Sequence, residues 1–181
     1  MNAPPDAPMD PTPERERALR RALGIPDDAA RVLVFGETSH WDPNWLLTSE
    51  EYYERRIEPI LDAVLDELER EPRRVFAIEC LFFLRLYWDR RPEQRERLRR
   101  LVERRQLRFT GTGITTPDTL LPSTESILRD YQLGQQWLWD QGLAAEPRVA
   151  YLPDDFGHSP ALPSMLAALG FDRAAVTRID G

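Results

Sequence analysis

The sequence predicts an α/β fold in which a parallel sheet is wrapped by helices. Short apolar runs alternate five times with longer stretches of helical periodicity, the order that such a sheet needs. One of those runs, from Val75 to Leu81, is almost continuously apolar, as a strand covered on both faces requires. The residues able to do chemistry, His40, Asp42 and Asp154, fall just past predicted strand ends, and Arg178 closes the last strand. The C-terminal edge of a parallel sheet is where α/β proteins build their sites.

The 181 residues suit one domain with a sizeable core. A net charge of −7, with no basic block free of acids, argues against nucleic acid or an anionic membrane as partner. The arginine-rich run from Arg90 to Arg108 carries Glu93, Glu96 and Glu103, which marks a solvated helix face. Cys80 is the only cysteine, so no internal disulfide is expected, which fits a reducing compartment. With no membrane-length apolar stretch and no signal-like N-terminus, the expected location is cytoplasmic.

Residues 1–30 read as a disordered or loosely packed leader. Pro4, Pro5, Pro8, Pro11 and Pro13 crowd its start, and a short charged helix runs from Glu14 to Leu23. The first strand is expected at Arg31–Gly36. Thr48 and Glu51 form a capping box, and Ile57, Ile60, Leu61, Val64, Leu65 and Leu68 then make one apolar helical stripe that ends before Pro72. The second strand is Val75–Leu81, with Glu79 inside it. Leu98, Leu101 and Val102 belong to a helix before a third strand at Leu107–Gly111. A glycine- and proline-punctuated loop leads to a helix at about Ser123–Gln141, stopped by Gly142. The fourth strand is Arg148–Pro153, a short helix covers about Pro160–Leu169, and the fifth strand is Ala174–Arg178.

His40 and Asp42 stand two apart at a strand end, so both side chains point to one side. An imidazole and a carboxylate, joined by Asp154 from a distant strand, read as a divalent metal site.

With these residues in place, residues 31–180 resemble the N-terminal catalytic domain of family 38 glycoside hydrolases, the retaining α-mannosidases. The motifs are Ser39-His40-Trp41-Asp42-Pro43-Asn44-Trp45, Glu79 before Phe82-Phe83-Leu84, the Thr110–Asp118 stretch, and Asp154-Asp155-Phe156-Gly157-His158-Ser159. The resemblance implies a seven-stranded β/α barrel, present here as a partial barrel of about five βα units, so that 31–181 is the N-terminal part of the catalytic domain. It implies that His40, Asp42 and Asp154 bind Zn²⁺ or another divalent cation and that Asp154 is also the catalytic nucleophile. Trp45 and Phe156 would line the sugar pocket, and Arg178 would lie near the nucleophile. The partner implied is an α-mannoside or a mannose-containing oligosaccharide.

Two positions depart from the family's pattern. Asp155 stands where proline is common; if the segment is extended, neighbours point opposite ways, so Asp155 is expected to be solvent-facing or structural. Thr119 follows Asp118 where a second acid is usual. His158 is expected to hydrogen-bond and hold the Asp154 loop. Glu79 reads either as a carboxylate orienting a ligand or as a half-exposed strand end.

The family pattern also needs a further histidine ligand and an acid/base carboxyl beyond the fifth strand. The 181 residues therefore read as a fragment with an incomplete catalytic set. The rival readings are a non-catalytic remnant and a metal-dependent carbohydrate deacetylase, although the His-x-x-x-His segment such deacetylases use is missing.

Overall fold

Parallel strand pairing positions everything that follows. The structure, a computed structural model, describes residues 12–33, 35–143 and 149–177. The chain divides into two compact units, Met1–Phe35 and Gly36–Gly181.

The first unit holds helix α1, Pro13–Leu23. Its start and stop are written locally. The Thr12 side chain accepts from the Arg15 backbone N–H, Pro13 opens the first turn, and Gly24 ends the helix at φ 67°. Acids in the first turn and arginines in the last suit the helix dipole, and none of the helix is buried.

In the second unit, strand β1 covers Glu37–Thr38, β2 Phe76–Ile78 and β3 Leu107–Phe109, forming one parallel sheet in the order β1-β2-β3. Strands β4, Val149–Leu152, and β5, Arg173–Val176, form a second parallel pair. Among the described residues there are two sheets, rather than the single one expected, because β3 and β4 exchange no ladder hydrogen bonds there. Each of the five described strands is shorter than the span expected for it.

The largest shift is at the first strand. It was expected at Arg31–Gly36, yet Leu33 is 91% exposed and pairing begins only at Glu37, opposite Phe76. An apolar run shows that a segment suits a strand, but the partner's hydrogen bonds decide where the ladder lies. Val34, Arg148 and Arg178, which belong to expected strands, lie outside the described residues.

Helices cover the strands. Helix α2, Ser49–Tyr52, starts on the Thr48–Glu51 capping box, passes through a π-helical turn at Tyr53–Ile57, and continues as α3, Glu58–Arg70. The π-turn has a local cause. Pro59 has no N–H and its ring would crowd an α-helical carbonyl, so the chain widens by one residue just before it. The stretch after β2 folds at once into α4, Phe82–Arg90, followed by a 3-10 turn at Pro92–Gln94 and α5, Arg95–Glu103.

The arginine run, expected as a solvated helix face, is in part a paired one. Arg97 meets Asp66 and Glu69 of α3, while Arg95 and Arg99 lie over the Trp88 ring. Helix α6, Thr124–Asp140, and helix α7, Leu162–Ala168, complete the set.

Two apolar clusters fill the unit. One gathers Leu61, Leu65, Ile78, Leu84, Leu98 and Phe109 around the three-stranded sheet. The other gathers Ala150, Leu152, Met165, Leu166 and Phe171 on the β4–β5 pair. Helix α6 joins both, since Leu138 belongs to the first and Ile127 and Tyr131 to the second. No described helix is long and apolar enough to cross a membrane.

Candidate active site

The site begins where β1 stops. The Ser39 N–H donates to the Ala77 carbonyl at 2.9 Å, extending the ladder one step, and its buried hydroxyl accepts from the Glu79 N–H at 3.2 Å. Locked main chain at Ser39 sends the His40 ring toward the end of β2. There His40 Nδ1 lies 2.8 Å from Glu79 Oε2, and the Thr116 hydroxyl donates to Glu79 Oε1 at 3.1 Å. Glu79 is only 3% exposed, so the half-exposed alternative is excluded.

A proton on Nδ1, held by a carboxylate oxygen, leaves the Nε2 lone pair free to bind. That nitrogen is 3.7 Å from Asp42 Oδ1 and 3.5 Å from Asp154 Oδ2. One ligand atom from each of His40, Asp42 and Asp154 lies within 4.8 Å of the others. Ligands at about 2.1 Å in a tetrahedral arrangement stand roughly 3.4 Å apart, so the His40 distances suit one shared ion. The donor set, one imidazole and two carboxylates, suits zinc or a harder divalent cation.

A cleft of about 300 Å³ opens over these groups. Trp45 and Phe156, 72% and 63% exposed, stand on its walls, and Thr116 and Asp118 reach it from the loop after β3. Carboxylates dominate the lining and no arginine among the described residues joins them. The field favours a cation. Burial alone would lower the His40 pKa, but its hydrogen bond to Glu79 and the charges of Glu79, Asp42 and Asp154 outweigh it, and the net shift is upward.

For Asp155, expected to be solvent-facing or structural, the first alternative fails. It is not solvent-facing: it is 3% exposed, lines the same cleft as Asp154, and its Oδ2 has no hydrogen-bond partner among the described residues. Strict alternation fails because the chain is already leaving β4, with Leu152 the last paired residue and bends at Pro153 and Asp154. Burial, then the charges of Asp118, Glu79 and Asp154, push its pKa up to about 7.

His158 also departs from expectation. Its Nδ1 is 3.9 Å from Asp155 Oδ2, beyond hydrogen-bond reach, and neither ring nitrogen is hydrogen-bonded among the described residues.

Thr119 takes the holding role instead. Its hydroxyl donates to the Gly157 carbonyl at 3.1 Å and accepts from the Ser159 N–H at 3.3 Å. An ionised acid there could accept but not donate, so threonine suits this double bridge. Thr116, Asp118 and Thr119 were open to sequence reasoning through the family stretch Thr110–Asp118 and their place after a strand end, but their contacts were not.

The comparisons with known proteins decide the family. The profile of the glycosyl hydrolases family 38 N-terminal domain matches residues 31–180. The chain belongs to family 38. Over 141 residues it is 33% identical to alpha-mannosidase 2 of Arabidopsis thaliana, covering 77% of this chain and 12% of that protein. It is 35% identical over 152 residues to the lysosomal alpha-mannosidase of Cavia porcellus, covering 78% of this chain and 15% of that one.

The crystal structure of an alpha-mannosidase from Enterococcus faecalis V583 superimposes with a TM-score of 0.69 at 31% identity, over 78% of this chain and 16% of the other. A 4-alpha-glucanotransferase from Thermococcus litoralis, 22% identical with a TM-score of 0.59, shares the fold. The 181 residues thus span a small part of the family 38 relatives they match.

Proposed function

We propose that this chain carries the nucleophile and three metal ligands of a retaining α-mannosidase site built on part of a β/α barrel. The observation that supports it most is the meeting of His40 Nε2, Asp42 and Asp154 at strand ends, in a family 38 chain. When bound there, a divalent cation supplies a Lewis acid for the adjacent cis hydroxyls of a mannose ring.

The protein's own groups do the rest. Trp45 and Phe156 offer flat apolar surfaces to the sugar. Asp154 attacks the anomeric carbon as the bond to the leaving oxygen breaks, giving a mannosyl ester that water then hydrolyses with net retention. The leaving oxygen needs a proton from a second carboxyl about 5–5.5 Å from the nucleophile. The family pattern places that acid, and a further histidine ligand, beyond the fifth strand. Arg178, outside the described residues, matches by resemblance the family's basic residue near the nucleophile.

A substrate whose leaving group departs without a proton isolates the nucleophilic step. With zinc and a dinitrophenyl α-mannoside, the chain should gain one mannosyl ester, mapped by mass spectrometry to Asp154 and lost in Asp154→Asn. An adduct on another residue, or none while zinc is bound, would contradict the assignment.

A further inference from the structure

We propose that Glu79 is a positioning residue that sets the tautomer and ring angle of His40 for metal binding. The proposal rests on the reading of His40, Asp42 and Asp154 as a metal centre and adds the group behind it.

The side chain of Glu79 makes two bonds, and both serve the site. Oε2 meets His40 Nδ1 at 2.8 Å, and Oε1 accepts from Thr116 at 3.1 Å. No arginine among the described residues pairs with it; His40 is its only ion-pair partner there. A carboxylate 3% exposed and without a permanent cation is costly to bury. For packing alone, a neutral side chain of the same shape would serve better.

The main chain is held from two sides. Ser39 Oγ accepts the Glu79 N–H, and Gly111 comes so close that a Cβ on it would lie 2.2 Å from the Glu79 carbonyl oxygen. The carboxylate is therefore presented on rigid backbone, and the His40 ring has one way to satisfy Nδ1. With the proton fixed there, Nε2 faces Asp42 and Asp154 as a bare lone pair. Partners of this kind, behind a metal-binding histidine, typically change affinity about 10–100-fold.

The test is zinc affinity, measured by chelator competition on the 181-residue chain and its Glu79→Gln and Thr116→Val variants. Cobalt absorption spectra and melting of the metal-free proteins accompany it. Glutamine keeps the shape but is a weaker acceptor. Its variant should bind zinc about 10–100-fold more weakly, with an altered cobalt spectrum and a metal-free melting temperature that is unchanged or raised.

Thr116→Val, on the surface loop, should weaken binding in the same direction by less, and it decides the matter if Glu79→Gln does not fold. Unchanged affinity and spectrum would overturn the proposal, as would a lowered metal-free melting temperature with affinity intact. Should the unaltered chain bind no zinc, or bind it equally after Asp42→Ala, the metal centre itself is refuted and this role with it.

Discussion

Asp154 and Asp155 are sequence neighbours in unlike surroundings. The Asp154 side chain is partly exposed beside His40, whereas Asp155 is buried with other carboxylates around it. Unfolded, the Asp155 carboxyl titrates near 3.8; folded, burial and its acidic neighbours hold it near 7. Between those values the folded metal-free chain keeps a proton that the unfolded chain has lost, so stability falls as pH rises through this window. Asp155→Asn should remove that slope. Its melting temperature in chelator should match the parent near pH 4 and exceed it by several degrees at pH 8; equal slopes would show that Asp155 is ionised at no cost. Aspartate at this position is thus expected to reduce the stability of the empty site. Asp154→Ala should instead collapse turnover in a completed enzyme, since it deletes nucleophile and ligand together.

Among the elements, helix α6 and the loop after β3 determine how tightly the site is built. A Cβ on Gly134 would fall 1.8 Å from the Thr112 carbonyl oxygen, so α6 sits against the loop that delivers Thr116 and Asp118. Gly134→Ala should cost about 1–3 kcal/mol by overpacking, read as a lower denaturation midpoint, and should also weaken zinc binding by loosening Thr116. No change in midpoint would mean that α6 shifts freely. The helices were legible because their ends are written locally, as in the Thr48–Glu51 box, the Ser123 cap and Gly142 at φ 69°. Helix α4 was not, since Phe82 to Trp88 is apolar on several sides and follows the second strand with no side-chain cap to mark its start. Strand ends were equally hidden, because only the partner's hydrogen bonds place them.

The described residues form one α/β unit with two sheets and two apolar clusters bridged by α6, and a small helical unit earlier in the chain. That His40, Asp42 and Asp154 would come together was legible from strand-end position and residue type. The burial of Asp155 and the bridging by Thr119 were not, since both depend on how separate loops meet. On the proposed reading the 181 residues hold the nucleophile without its acid, and a positioned acid typically contributes about 10²–10⁴-fold. The isolated chain with zinc should therefore leave alkyl α-mannosides intact while reacting with dinitrophenyl α-mannoside; turnover of an alkyl substrate, abolished by Asp154→Ala, would reveal an acid within these residues. Whether His40, Asp42 and Asp154 share one ion can be seen by anomalous diffraction at the zinc edge from zinc-soaked crystals. One ion about 2.0–2.2 Å from His40 Nε2 and from an oxygen of each of Asp42 and Asp154 is predicted. Zinc bound elsewhere, with His40 Nε2 left uncoordinated, would contradict the account.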